Sequence, residues 1–224
     1  MDNAKSVVSL GSVGRSDISI AGGKGASLGE LLQAGIPVPN GFVVTAQTYY
    51  SFLEETGLEE TIRDALEGLD YNDSTALAQA SRRIEKAIEG APMSREIAQE
   101  IKKAYRSLGG GLVAVRSSAT AEDLPDASFA GQQSTFLNVV GEDKVVRAVQ
   151  DCWASLFEPR AIFYRCEQGF DHLRVGIAAV VQRMVQSQTS GVLFTVDPIS
   201  NDRNRITIEA VFGLGEAIVS GAIT

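Results

Sequence analysis

The sequence predicts an α+β fold, and three observations carry that expectation. The 224-residue chain is 44% hydrophobic and 21% charged, a globular composition. Its length suits one large domain or two small ones, and such a chain buries about 70% of its unfolded surface without needing a staple. Apolar residues recur at helical spacing through the first half, then fall into short runs of strand character after Gly111. Helices followed by strands point to two lobes, helix-rich 1–110 and strand-rich 111–224, with a seam near residue 110.

The elements follow in order. Residues 22–34 read as a Gly-rich turn entering a short helix, with Ala26, Leu28, Leu31 and Leu32 on its apolar side. Ile36 to Gly41 holds Pro37 and Pro39 and reads as an extended connector, because proline pushes its predecessor out of the α region. Phe42–Thr45 is a short strand, and Thr45 is placed to cap the helix after it. Three more helices are expected over Leu58–Leu69, Ser74–Glu89 and Ser94–Leu108. The second of these carries Leu77, Ser81, Ile84 and Ile88 on one stripe; the third carries Ile97, Ile101, Ala104, Tyr105 and Leu108. Gly109, Gly110 and Gly111 stop the last helix. Strands are expected over Leu112–Arg116 and Ser134–Val140, separated by a long loop of small and hydroxyl residues that begins at Ser117. Helices over about 143–156 and 158–168 precede strands near 174–187, 190–196 and 205–212.

Charge and motif arithmetic exclude several classes. The net charge is −8, and Glu54–Asp73 holds eight acids against one base, Arg63. That segment reads as a solvated helix face with its turns. An acidic chain is a poor match for a nucleic-acid backbone. The longest uncharged run, Leu31–Leu53, is too polar and too broken by proline to be a membrane helix. No apolar leader-like segment is present near Met1, so a cytoplasmic location is expected. Cys152 and Cys166 stand apart without a CxxC pattern and read as free thiols. His172 is the only histidine and has no nucleophile motif beside it, so it reads as structural.

Phosphate chemistry is what the remaining motifs suit. Gly22-Gly23-Lys24-Gly25 is not a P-loop, which needs Ser or Thr directly after Gly-Lys. Gly213-Leu214-Gly215 lacks the third glycine of a dinucleotide fingerprint. Lys24, however, stands among glycines ahead of a helix, where a backbone can approach an anion closely. Arg116 ends an apolar strand, and a guanidinium there either grips phosphate in bidentate fashion or pairs with Glu122 or Asp123. The loop around Gly131 offers N–H groups and the hydroxyls of Ser128, Ser134 and Thr135.

These residues lie in stretches that resemble the N-terminal nucleotide-binding region shared by phosphoenolpyruvate synthase, pyruvate phosphate dikinase and rifampicin phosphotransferase. The stretches are GGKGASLGELLQAGIPVPNGFVVT (22–45), VAVRSSATAEDLPDASFAGQQSTFLNV (113–139), ASLF (154–157), VVQRMVQSQTSGVLFTVDP (180–198) and EAVFGLGEAIVSGAIT (209–224). GFDH at 169–172 and GQQSTFLNV lean toward phosphoenolpyruvate synthase. The resemblance implies an ATP-grasp-like domain of two lobes that clamp ATP, with Mg²⁺. It implies that Lys24 contacts the ATP phosphates and that Arg116 holds phosphate in the same pocket as the catalytic group. Gly131 and Gln132 would form the phosphate-covering loop, followed by Thr135. Gln182, Met184 and Val185 would run beside the adenine, and Glu209 would be an acid on a strand near the site. The implied reaction passes the β-phosphoryl group to a histidine on a separate swivelling domain, then to pyruvate on a pyruvate-binding domain. That histidine is not His172, which lacks the family's phosphohistidine motif. Metal ligands are expected beyond Thr224, so the chain is expected to be a C-terminally incomplete domain, inactive alone. A rifampicin-modifying enzyme, a pyruvate phosphate dikinase or an inactive regulatory module would share the same region.

Overall fold

The computed structural model describes residues 5–120, 134–219 and 221. Contacts divide the chain into two compact units, Met1–Met184 and Val185–Thr224, so residue 110 lies inside the first unit. The reason is strand pairing: strands from before and after residue 110 belong to one sheet.

That sheet has five strands: β1 (Val7–Ser9), β2 (Gly41–Val44), β3 (Val113–Ala119), β4 (Thr135–Val139) and β5 (Ile177–Arg183). Their spatial order is β1-β2-β5-β3-β4, with every neighbouring pair antiparallel. β5 is central and buried along Ile177–Gln182, which explains its near-continuous apolar run. β1 escapes sequence inspection because three residues cannot display a period of two; its register with β2 defines it.

One face of the sheet carries most of the core. Phe42, Val44, Val113, Val115, Ala179 and Val181 meet helices α2 (Ala46–Thr56), α3 (Leu58–Leu66), α4 (Ser74–Gly90), α5 (Arg95–Ser107), α6 (Glu142–Ala154) and α7 (Pro159–Glu167). The expected stripes are the buried ones: Leu77, Ser81, Ile84 and Ile88 in α4, and Ile97, Ile101 and Tyr105 in α5. Thr45 caps α2, its Oγ1 accepting from Thr48 N–H at 3.4 Å. Asp73 caps α4 through bonds from Thr75 and Ala76 N–H at 2.8 and 3.1 Å. Glu59 and Glu60 occupy the first turn of α3, where the helix dipole favours negative charge. The acids of 54–73 are exposed, as a solvated face requires.

The opposite face carries the helix α1 (Ile18–Gln33), bent at Gly22 (φ 66°, ψ 173°). Leu10, Val13 and Ala21 pack there against Val43, Ala178 and Val180. The second unit contains β6 (Thr189–Phe194) paired antiparallel with β7 (Thr207–Phe212), followed by α8 (Glu216–Val219). No described helix is long and apolar enough to cross a membrane.

Candidate functional site

α1 lies close to the sheet because its glycines allow it. A Cβ on Gly22 would stand 2.2 Å from Ser118 O. On Gly25 it would meet Ala21 Cβ at 2.9 Å and Val180 Cγ2 at 3.5 Å; on Gly29 it would meet Val13 O at 2.0 Å. The small residues around Lys24 therefore serve helix-to-sheet packing, a use that spacing alone did not reveal. Helical geometry resumes after Gly22, which puts Lys24 in the first turn of the main helical segment.

β3 continues three residues beyond the expected stop at Arg116. Ser117, Ser118 and Ala119 pair with Ala179, Ala178 and Ile177, so this serine pair belongs to the sheet rather than to the loop. Side chains alternate along a strand, and Arg116 and Ser118 stand opposite Val180 and Ala178, which face α1. Thr135 on β4 stands opposite Arg116, and Gln182 is two residues from Val180 on β5. One face of the sheet thus brings Arg116, Ser118, Thr135 and Gln182 together beneath the helix that bears Lys24.

The chemistry of that face is cationic and hydroxyl-rich. Arg116 and Lys24 are half-buried, and Thr135 is exposed. Among the described residues Arg116 forms no salt bridge; Glu122 and Asp123, the acids weighed as its partners, lie outside the described residues. A half-buried guanidinium with its fork uncommitted suits an anion with several oxygens. Gln182 is 6% exposed and its Nε2 donates to Pro39 O at 2.9 Å, fastening the proline connector to β5. Met184 N–H donates to Leu112 O at 3.0 Å. Val185 is exposed and starts the second unit, which also holds Glu209, opposite Val192 in the β6–β7 hairpin. Gly131, Gln132 and Ser128 lie outside the described residues. Ser134 is committed, its Oγ donating to Glu158 Oε1 at 2.8 Å.

Several polar residues that spacing did not single out do structural work. Ser117 Oγ donates to Ser134 O at 3.0 Å, and Thr120 exchanges bonds with Gly176 through both its N–H and its hydroxyl. Continuing the β3 alternation past Arg116 would have found both serines. Arg165 is fully buried, with its Nε donating to His172 Nδ1 at 3.1 Å and its guanidinium over the Phe157 ring. His172 also stacks on Tyr71, and it is structural, as expected. Burial and then the nearby Arg165 charge push the His172 pKa down to about 4, while Asp171 opposes them. The unfolded chain therefore binds a proton between about pH 6.5 and 4 that the folded chain refuses. Stability is expected to fall as pH drops through that window. His172→Gln, which keeps an acceptor for Arg165, is expected to flatten the dependence; urea unfolding at pH 7 and pH 4.5 measures it. An unchanged pH profile in the variant would remove His172 as its source.

Burial pushes the Cys152 thiol well above its ordinary range, so it is inert, and both cysteines are free. Among the described residues no group of three or more His, Cys, Asp or Glu could hold a metal ion. These residues do not form a Mg²⁺ cage.

Comparison with known proteins shows the family. Residues 18–224 match the family described as pyruvate phosphate dikinase, AMP/ATP-binding domain. The chain is 53% identical over its whole length to a probable phosphoenolpyruvate synthase of Methanocaldococcus jannaschii, covering 19% of that protein. It is 57% identical over 97% of its length to a probable phosphoenolpyruvate synthase of Archaeoglobus fulgidus, covering 30% of it. It is 50% identical over 97% of its length to the phosphoenolpyruvate synthase of Pseudomonas aeruginosa, covering 29% of it. The chain thus spans between about a fifth and a third of the length of these curated relatives.

Proposed function

Because the chain belongs to the pyruvate phosphate dikinase AMP/ATP-binding domain family, we propose that it is the ATP-binding portion of a phosphoenolpyruvate synthase-like phosphotransferase. The observation that carries the reading is the convergence of Arg116, Ser118 and Thr135 on the sheet face that packs against the helix of Lys24. In this reading the fold is an ATP-grasp-like clamp. Lys24 on α1 and Arg116 on β3, both in the first unit, meet the phosphates, Gly131, Gln132 and Thr135 line the phosphate end, and Gln182, Met184 and Val185 run along the adenine. The whole protein converts ATP, pyruvate and water to AMP, phosphoenolpyruvate and phosphate. The β-phosphoryl group passes through a histidine on a swivelling domain and is accepted on a pyruvate-binding domain, in the cytoplasm.

The residues of this chain act by position and charge. Arg116, fixed by the paired strand, offers two parallel N–H bonds to phosphate oxygens whose charge rises as the phosphoryl group leaves. Lys24 supplies a compact point charge from a helix turn that its neighbouring glycines let lie close against the sheet. Positioning of this type supplies most of the acceleration in phosphoryl transfer. Mg²⁺ belongs to the proposal as a charge-neutralising companion of the phosphates, with no described residue assigned to it.

Isothermal titration tests the reading. The chain alone is expected to bind ATP in the presence of Mg²⁺ more weakly than about 1 μM and to turn over nothing. The absence of any saturable heat would contradict the ATP reading, and submicromolar affinity would contradict the proposal that part of the clamp lies elsewhere in the whole protein.

A further inference from the structure

We propose that Ser118 is a positioning residue that holds the Lys24 turn of α1 in register with Arg116, a role that rests on the ATP reading of this face. Ser118 is fully buried. Its Oγ accepts the Gly25 N–H at 3.2 Å, a bond inside the protein between residues 93 apart in sequence. Gly25 directly follows Lys24, so the bond fixes the backbone at the base of the lysine side chain. Ser118 lies two residues from Arg116 on the same strand, and both side chains emerge on the α1 face. One strand therefore carries the phosphate-facing guanidinium at one position and the anchor for the lysine turn at the next position of the same face.

Three features make the anchor specific. The early N–H groups of a helical segment have no partner within the helix, and Ser118 occupies the one at Gly25. Gly22 has its missing Cβ aimed at the Ser118 O and Oγ, at 2.2 and 2.3 Å, so helix and strand approach at this residue more closely than any side chain on Gly22 would allow. The same strand is held on its other side by Ser117, whose Oγ donates to Ser134 O. The two serines of Arg116-Ser117-Ser118 thus fasten β3 in opposite directions, Ser117 toward the entry of β4 and Ser118 toward α1. Loss of the Ser118 hydroxyl leaves the sheet and the glycine contacts in place. It frees the Lys24 turn to shift or rotate on the strand, by the small displacement to which a point charge on phosphate is sensitive.

A double-mutant cycle tests the role. ATP affinity is measured in Mg²⁺ by isothermal titration, with displacement of a fluorescent ATP analogue for the weakest variants. The chains compared are wild type, Ser118→Ala, Lys24→Ala and the pair together. Ser118→Ala is expected to weaken ATP about tenfold in the wild-type background and less than about twofold in the Lys24→Ala background, because the hydroxyl acts through the lysine. Its thermal shift is expected to be the same in both backgrounds. Ser118→Cys, which keeps a weak acceptor in a slightly larger side chain, is expected to fall between wild type and alanine, and it runs the same cycle if the alanine variant does not fold. Equal losses of affinity in both backgrounds would make Ser118 merely structural and overturn the role. Wild-type affinity in Ser118→Ala would overturn it too, with the ATP reading intact. No binding by the wild-type chain would remove the ATP reading, and this role with it.

Discussion

Arg116→Ala is expected to abolish phosphoryl transfer from ATP in the full-length protein, a loss of at least about a hundredfold in phosphohistidine formation. The size follows from the arginine's position. It sits on a strand paired on both sides, opposite Thr135 and Val180, so its guanidinium is held from a rigid base. Among the described residues it has no salt-bridge partner, so truncation leaves no carboxylate of theirs unpaired. The variant is therefore expected to keep its far-ultraviolet circular dichroism and its thermal midpoint while losing activity. Arg116→Lys keeps the charge but not the two-pronged fork, and is expected to recover only part of the rate. Phosphohistidine yield, read by mass spectrometry after incubation with ATP, decides the matter. A wild-type yield in the alanine variant would take Arg116 out of the reaction.

Gly22→Ala is expected to be the most damaging single-methyl change in the first unit's α1 layer. Its φ of 66° is one that L side chains avoid, at about 1–2 kcal/mol. The added Cβ would also stand 2.2 Å from the Ser118 carbonyl oxygen, which belongs to a buried paired strand and cannot give way; overpacking of this type adds about 1–3 kcal/mol. The total, about 2–5 kcal/mol, is a large share of the roughly 5–15 kcal/mol that holds a typical domain folded. Gly35 gives the control. It also has a positive φ, 75°, but a Cβ there meets nothing within 4 Å. Gly35→Ala should thus lose only the conformational part, about 1–2 kcal/mol. Urea unfolding of the two variants separates strain from collision. Equal destabilisation would show that α1 and β3 are not in the close contact described.

Much of the fold was legible because it depends on local periodicity. The stripes of α4 and α5, the Thr45 cap and the strands around Arg116 and Val180 all show in short windows of sequence, while the antiparallel pairing of those strands does not. What escaped depends on partners far along the chain. β1 has only three residues and exists because β2 lies beside it. Ser117–Ala119 look like loop until β5 supplies the other half of the ladder. The bond from the Gln182 amide to Pro39 joins residues 143 apart and shows in no short window. The lysine turn is more instructive. Glycines around a lysine suit anion approach, but Gly22, Gly25 and Gly29 face β3, β5 and the Leu10–Val13 segment. Their smallness lets the helix lie against the sheet, and it is this packing that brings the Lys24 turn against β3, the strand that bears Arg116.

The most direct test of the account is an amide NMR titration of the chain with ATP in Mg²⁺. The predicted result is a contiguous set of shifts at Gly23, Lys24, Gly25, Arg116, Ser118 and Thr135, with the cleft of about 440 Å³ between β1 and α5, lined by Lys103 and Ser107, unaffected. Shifts centred on that cleft, with Lys24 and Arg116 unmoved, would contradict the assignment of the α1 face as the nucleotide site.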